Sequence, residues 1–370
     1  MTFQKIKLGD YCEITSSRRC HLSERSATGV PFYRSKEIIQ LFNGTIVDDC
    51  DYISREMYDS IKRKYGVPQA GDLLITSRGT IGIPYLYKST DEFYFADGNL
   101  TWLRNFHKDL SSAFLFHLLS DARTVSKIDN LAQGAAQKAL SIAALKNFEF
   151  LLPERSVQNH IVSMIDAYDR LIENHRRQIT LLEEAAQRIY KEWFVDSHPS
   201  HDAWTSCPLP DLMDVCYGKD HKGLADGPYP VYGSGGYLRS VDQYLYNKES
   251  ILIPRKGSLN NILYVDEAFW TVDTMFYTKL KRPDVGFYLY NYLLRIDMYA
   301  MNTGAAVPSM TTNVLNKMMI PLPPQDDLAH FSDAITPMHQ EIKFLKHKVQ
   351  LLSEARDRLL PKLLSGEIEV

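Results

Sequence analysis

LLEEAAQRIYKEWF, at Leu181–Phe194, occurs a second time as LLSEARDRLLPKLL, at Leu351–Leu364. The two copies share a leucine pair, a glutamate, an alanine and an arginine, and each shared residue is 170 positions from its counterpart. Solenoid proteins repeat at intervals of about 20 to 50 residues, so this distance is too long for a solenoid. The repeated segment predicts a chain built from two homologous halves.

Each copy lies in a longer stretch whose apolar residues alternate at spacings of three and four. Such a seam, sustained over several heptads, is typical of a coiled coil. We predict two long helices, each a rod of roughly 50 Å, that pair within the chain as an antiparallel coiled coil. Pro337 either kinks the second helix or lies in its first turn with Thr336 as the cap. The predicted seam residues are Ile161, Ile165, Ile172, Ile179, Leu182, Ile189, Phe331, Ile335, Ile342, Leu345, Val349, Leu352 and Leu359.

The similarity between the halves continues toward the N-terminus, where the offset drifts. SRGTIG at Ser77–Gly82 resembles RKGSLN at Arg255–Asn260, and KLGDYCEI at Lys7–Ile14 resembles PLPDLMDV at Pro208–Val215. A tandem duplication explains this pattern. Each copy is a globular region followed by a helix, and the first globular region has gained residues in its loops.

Both globular regions contain short β-branched and aromatic runs that are split by Gly, Asn and Pro turns, which is typical of strands. The fold class predicted is mixed α/β, with an internal pseudo-two-fold. In the second region the runs are Tyr229–Val241, Ser250–Asp266 and Phe269–Leu280, with a helix near Phe287–Met298. In the first region Asp72–Tyr87 and a helix at Ser111–Val125 correspond to them. The predicted division is 1–152, 153–196, 197–322 and 323–370.

The composition is that of an ordinary globular protein, 45% hydrophobic and 24% charged. The five cysteines are scattered and form no C-x-x-C, which favours a reducing compartment. No apolar run is long enough to span a bilayer and no signal peptide is visible, so we expect a cytoplasmic protein without membrane contact. The net charge of −3 argues against a generic nucleic-acid binder. Any DNA would be bound by local patches, or together with a more basic partner.

Catalytic motifs are missing from the sequence. It contains no G-x-x-x-x-G-K-[ST] loop, no N/D-P-P-Y/F tetrapeptide and no G-x-S-x-G elbow. We therefore expect a chain that is not an enzyme by itself and that binds neither a metal nor a cofactor.

The chain resembles the specificity (S) subunit of type I restriction-modification systems along nearly its whole length. The most specific likeness is in the junctions into the helices, at Phe148–Ile172 and Met318–Ile335. The closing LLPKLLSGEIEV (Leu359–Val370) and the YPVYGSGGYLRSV run are similar too. The first junction departs from the family, since LLPERSVQ lacks the usual second proline or acidic pair.

The resemblance implies that 1–152 and 197–322 are target recognition domains and that 153–196 and 323–370 are conserved spacer helices. Each domain would read half of a split, asymmetric DNA site, and the helices would set the gap between the halves. The expected partners are double-stranded DNA, two modification (methyltransferase) subunits and restriction (translocase and nuclease) subunits. Together they would form a restriction endonuclease and adenine methyltransferase complex for host defence. S-adenosylmethionine, ATP and Mg would be bound by those partner subunits.

Polar and basic side chains on the glycine-rich turns are the candidates for DNA contact, because such loops can enter the major groove. Arg78 or Lys256 could contact guanine O6 and N7, and Asn260 could contact adenine. The candidates are Ser35, Lys36, Ser77, Arg78 and Thr80 in the first region, and Lys219, Tyr232, Ser234, Arg239, Lys256, Ser258 and Asn260 in the second.

Two other interpretations remain open. The chain could be the specificity subunit of another bipartite restriction or modification system, in which one partner polypeptide both methylates and cleaves. It could also be a coiled-coil scaffold that binds protein and no DNA. The scaffold interpretation fits the acidic helices but gives the two diverged, loop-rich regions no task.

Overall fold

The computed structural model describes residues 3–132, 138–196, 204–304 and 307–369. The chain forms two compact units: unit 1 is Met1–Asn174 with Lys348–Val370, and unit 2 is His175–His347. Each unit contains one globular region and part of both long helices. The mixed α/β class is confirmed, whereas the four-part division made from the sequence stays a prediction.

Besides its parts of the two long helices, unit 1 contains short strands and five short α-helices among its described residues. The strands are β1 (Phe3–Lys7), β2 (Glu13–Thr15), β3 (Arg25–Ser26), β4 (Val30–Tyr33), β5 (Asp51–Ile53), β6 (Leu73–Thr76), β7 (Pro84–Leu86), β8 (Tyr94–Phe95), β9 (Leu100–Arg104) and β10 (Glu149–Pro153). The helices are α1 (Ser35–Phe42), α2 (Arg55–Lys64), α3 (Ser112–Ser120), α4 (Ala122–Leu131) and α5 (Ile142–Lys146). The helix predicted at Ser111–Val125 is thus two helices, because the Asp121 side chain accepts from Thr124 N and begins α4.

The remaining elements are the two long helices and the strands and short helices of unit 2. The long helices are α6 (Arg155–Lys191), which ends in a π-helical turn at Glu192–Asp196, and α9 (Gln325–Ser365). The strands are β11 (Thr205–Pro208), β12 (Met213–Tyr217), β13 (Tyr229–Gly233), β14 (Gly236–Val241), β15 (Ser250–Pro254), β16 (Leu263–Val265), β17 (Trp270–Thr271), β18 (Met275–Leu280) and β19 (Met319–Leu322). The short helices are α7 (Gly286–Leu294) and α8 (Thr312–Asn316).

The strand order repeats from one unit to the other. Unit 1 has a four-stranded sheet β2-β9-β6-β7, and unit 2 has β12-β18-β15-β16. In the neighbouring sheet β4 pairs parallel with β8, as β13 does with β17. An antiparallel ribbon closes each copy, β1 with β10 and β11 with β19. The duplication predicted from sequence therefore extends through the backbone. Between β4 and β6, unit 1 has a longer segment than unit 2 has between β13 and β15, and helices α1 and α2 lie in it.

Single hydrogen bonds repeat as well, which confirms the alignment of the two diverged loops. Leu140 N donates to Ser77 O, and Met310 N donates to Arg255 O, both at 2.8–2.9 Å. The residue after each of these two acceptors forms an isolated β-bridge, Arg78 with Ala139 and Lys256 with Ser309. The two loops thus leave their central strands in the same way.

The central strands are apolar on both faces. Leu73 and Ile75 of β6 enter one hydrophobic cluster, and Leu74 between them enters another. In β15, Ile251 and Ile253 face one cluster while Leu252 faces the other. A sheet covered on both sides reads as a continuous hydrophobic run rather than an alternation.

The long helices contribute their apolar faces to these cores. In unit 1, Ile161 and Ile165 share a cluster with Leu360 and Leu363, from the far end of α9. In unit 2, Tyr190 of α6 shares a cluster with Phe331 and other residues of the first part of α9. The predicted seam residues are buried or half-buried.

Pro337 lies inside α9, which begins twelve residues earlier, at Gln325. The placement in the first turn with Thr336 as cap is therefore wrong. The Thr336 hydroxyl instead donates to Ser332 O at 2.7 Å, one turn back in the helix. Proline cannot make its own backbone bond at this point, and the hydroxyl supplies an additional side-chain bond in the same turn.

Candidate nucleic-acid interface

In unit 1 two loops meet at the end of the central strands. The Ser35 hydroxyl lies 3.3 Å from Arg78 O and 3.2 Å from Asn99 O, so it bridges the two neighbouring segments. Gly79 has a φ of 75°, a left-handed conformation that favours glycine. The turn leaves Arg78 exposed, and its guanidinium lies over Gly98. Within the described part of the chain, no carboxylate forms an ion pair with Arg78.

The corresponding loops of unit 2 meet in the same way. Gly257 has a φ of 83°, and a Cβ at that position would lie 3.2 Å from the Ser234 hydroxyl. Asn261 Nδ2 donates to Ser234 O at 2.8 Å. Lys256 is exposed, and no described carboxylate pairs with it. In each unit a glycine turn therefore presents a cation that no described carboxylate pairs with, beside a serine that lies just after the end of β4 or β13.

The other candidates of unit 1 divide into exposed and internal side chains. Thr80 is exposed on the Gly79 turn, and Lys36 is exposed with Asp49 Oδ2 3.7 Å from its Nζ. Ser77 is buried, and its hydroxyl lies 2.6 Å from Thr101 Oγ1. The structure thus brings Ser35, Arg78 and Thr80 together at the surface, while the side chain of Ser77 lies in the interior.

In unit 2 the exposed candidates are Lys219, Lys256, Ser258 and Asn260. Tyr232 packs its ring against Tyr237 and Phe269, and burial raises the pKa of its phenol.

Arg239 and Asn260 are already engaged within unit 2. Arg239 donates to Leu224 O at 2.6 Å, and Asn260 Oδ1 accepts from Met298 N at 2.9 Å. The acceptor oxygen of Asn260 is therefore used in the fold, although the residue is exposed.

The sequence reasoning missed two exposed residues beside the unit 2 loops. Tyr237 is 61% exposed and Leu238 is 50% exposed, although they are neighbours in strand β14. A regular strand would turn one of them inward. The register between β13 and β14 shifts at this point and leaves Leu238 as a bulge. The adjacent Gly-Gly pair is the only signal in the sequence that indicates such an irregularity.

Replacing Arg239 with alanine should loosen the loop at 219–228 without changing the core. The guanidinium holds this loop through Leu224 O and lies 3.7 Å from Asp226 Oδ1. Losing a hydrogen bond from a charged donor should speed amide hydrogen exchange in the loop by roughly tenfold. The exposed Lys222 in the same loop is the matched control, and Lys222→Ala should leave exchange unchanged. Equal exchange in both variants would contradict a structural role for Arg239.

A histidine and two aspartates of unit 1 come together away from these loops. One ligand atom from each of His117, Asp166 and Asp169 lies within 4.8 Å of the others. His117 Nε2 is 2.8 Å from Asp166 Oδ1, and Asp169 accepts from Arg356 at 2.6 Å. These contacts give each carboxylate a protein partner, and they connect α3 to α6 and α6 to α9.

No described helix combines the length and the apolar character that a membrane crossing requires.

Comparison with known families identifies this arrangement. A family model for the type I restriction modification DNA specificity domain matches residues 1–184 and 202–350, so the chain belongs to that family. The family predicted from the sequence is confirmed. The function is that of a DNA specificity subunit, the non-catalytic component of a type I restriction-modification system.

Particular relatives agree with the family. The type I restriction enzyme MjaIX specificity subunit of Methanocaldococcus jannaschii is 23% identical over 358 residues, covering 81% of this chain and 78% of that protein. A putative type I restriction enzyme specificity subunit of Haemophilus influenzae is 28% identical over 188 residues, covering 50% and 45%. The fold is similar to the crystal structure of a type I restriction-modification system S subunit from M. genitalium. The TM-score is 0.64 and the identity 16%, over 98% of this chain and 96% of that one.

Proposed function

We propose that the two units read two different halves of a split, asymmetric DNA site. The observation that supports this is the pair of equivalent loops with different side chains. The same backbone turn presents Arg78 in unit 1 and Lys256 in unit 2. Arginine can contact guanine O6 and N7 with two parallel bonds, whereas lysine acts as a point charge. Equivalent positions that carry unlike chemistry would recognise unlike base pairs.

We also propose that α6 and α9 pair as an antiparallel coiled coil that fixes the gap between the half-sites. In unit 1, Arg356 donates to Asp169 at 2.6 Å. In unit 2, Lys346 Nζ lies 3.0 Å from Glu183 Oε1. The later residue of α6, Glu183, pairs with the earlier residue of α9, Lys346. Antiparallel pairing of two helices requires this order.

The repeated helix segments are proposed to bind two copies of one modification subunit. A surface that occurs twice in one chain suits a partner that binds twice. Leu181 and Leu351 occupy the same position in the two copies, and both are about half exposed. S-adenosylmethionine, ATP and Mg would be held by the modification and restriction subunits. Those subunits would also contribute phosphate contacts, which dominate non-specific affinity and which a chain of net charge −3 is poorly equipped to make.

Sequencing of methylated adenines tests the proposal. The chain would be expressed with its modification partner in a host that lacks adenine methylation. We expect one split motif with unlike halves and a fixed gap. A palindromic motif would contradict the two different readers. If a stable complex leaves the DNA unmethylated and binds no sequence selectively, the scaffold interpretation would replace this proposal.

If the chain instead belongs to a bipartite system in which one partner polypeptide both methylates and cleaves, the methylated motif would look the same. The mass and subunit composition of the complex purified with this chain would distinguish the two systems.

A further inference from the structure

The hairpin formed by β13 and β14 has an apolar tip. Its turn is Ser234–Gly235, and the strands pair Gly233 with Gly236 and Tyr232 with Tyr237. The next pair is Val231 with Arg239, so Leu238 has no partner in the opposite strand. Bulges redirect side chains and are frequent beside functional sites. Here the bulge places two large side chains, Tyr237 and Leu238, on the exposed surface together.

Leu238 is held in a defined position rather than extended into solvent. A Cβ added at Gly233 would lie 3.1 Å from Leu238 Cδ1, so the leucine packs across the bare backbone of that glycine. The Tyr237 hydroxyl lies 3.1 Å from Ser240 Oγ, which fixes the direction of the ring. A fixed apolar contact point has a low entropic cost of binding.

The apolar tip lies next to the loop that carries Lys256 in unit 2. Ser234 follows Gly233 directly, and its hydroxyl lies against Gly257, which follows Lys256. A ligand that satisfies both features must combine negative charge with a small apolar group. The major groove of DNA does so, because phosphates line it and each thymine presents a C5 methyl group there. A two-stranded ribbon also fits the width of that groove.

We propose that Leu238, supported by Tyr237, contacts the C5 methyl of one thymine in the half-site read by unit 2. This inference rests on the proposed function and adds the chemistry of one recognised base. In unit 1, the position that matches Gly233 is Arg34, which forms an ion pair with Asp51. The next residue, Ser35, begins α1 instead of a hairpin turn. Thymine-methyl reading at this position is therefore specific to unit 2.

The experiment replaces single thymines of the motif with deoxyuridine, which lacks only the methyl group. Equilibrium binding is measured with the complex of this chain and its modification subunit. At one position of the unit 2 half-site, thymine should be preferred by about fourfold, the effect of removing one buried methyl group. Leu238→Ala should reduce that preference to near one. Leu238→Met keeps an apolar contact and should retain part of it.

The half-site read by unit 1 supplies the matched control. Deoxyuridine substitutions there should have the same effect on the wild type and on Leu238→Ala. If the complex binds its motif but Leu238→Ala keeps the full thymine preference, the inference is wrong and the proposed function stands. A unit 2 half-site made only of G·C pairs would also overturn it. If the wild-type complex shows no sequence preference at all, the proposed function fails and this inference with it.

Discussion

Replacing Arg78 with alanine is expected to remove the reading of one base pair in the half-site of unit 1. The side chain is exposed on the Gly79 turn, and among the described residues no acidic group holds it. A bidentate contact from arginine to guanine discriminates against the wrong base by about 1–3 kcal/mol, or roughly 5- to 150-fold. The motif methylated by the variant should become degenerate at one position and stay unchanged at all others. Adenine-methylation sequencing measures this directly.

Three controls separate base reading from a phosphate contact. Arg78→Lys keeps the charge but loses the two-pronged geometry, so it should resemble alanine in specificity. Lys256→Ala should affect the other half-site only. Arg55 is an exposed arginine of unit 1 that already pairs with Glu92 at 2.7 Å, and Arg55→Ala should leave the motif intact. If Arg78→Ala weakens binding to all sequences equally and lowers the salt dependence, Arg78 contacts phosphate instead.

The helices and the duplication could be predicted from sequence because both leave periodic marks. A heptad seam depends only on spacing, and the repeated segment kept its length in the two copies. A position for Pro337 inside the helix was one of the two possibilities that the sequence left open. Local chemistry could not decide between a helix that continues through the proline and one that begins there. Phe331 and Ile335 before the proline and Ile342 and Leu345 after it are all buried, so tertiary packing stabilises α9 on both sides of Pro337.

The sequence could predict which candidate residues are exposed where a glycine marks a turn. It could not do so where the exposure of a side chain depends on tertiary packing. Arg78 and Lys256 each precede a glycine with positive φ, so the sequence shows the turn that exposes them. Ser77 lies next to the same turn, but it follows a strand covered on both faces and is buried. LLIT shows no alternation of polar and apolar residues, so the sequence does not reveal where the burial along this strand ends. The exposure of Leu238 depends on a register shift between two strands, and only the paired structure shows it.

The two units share the backbone of their loops but differ in the side chains that the loops carry. Gly79 and Gly257 keep the same left-handed turn in both units. The residue before each turn has changed from arginine to lysine. The residue that matches Arg34 of unit 1 is Gly233, in the hairpin of unit 2. Loops supported by rigid strands can change without loss of the fold. If these loops read bases as proposed, substitutions in them would change the recognised sequence and leave the fold intact.

Phe331→Ala is expected to cause the largest loss of stability of any substitution considered for unit 2. Its side chain is fully buried on α9 and meets the end of α6, with ring centroids 5.9 Å from Tyr190, 6.0 Å from Trp193 and 5.0 Å from Phe194. Truncating a buried phenylalanine lowers the free energy of unfolding by about 3–5 kcal/mol. Urea unfolding followed by tryptophan fluorescence measures it, because Trp193 is part of the cluster.

Phe344→Ala, on the same helix, is the matched control. Phe344 is 50% exposed, so this variant should lower the free energy of unfolding by about 1 kcal/mol or less. The equivalent of Phe331 in unit 1 is Ile161, which is also fully buried, and Ile161→Ala should cost about 2–5 kcal/mol. Equal unfolding midpoints for Phe331→Ala and Phe344→Ala would show that the aromatic cluster does not hold α9 against α6. The proposed pairing of the long helices would then lose its main support in unit 2, because Lys346–Glu183 is an exposed ion pair and such pairs contribute little.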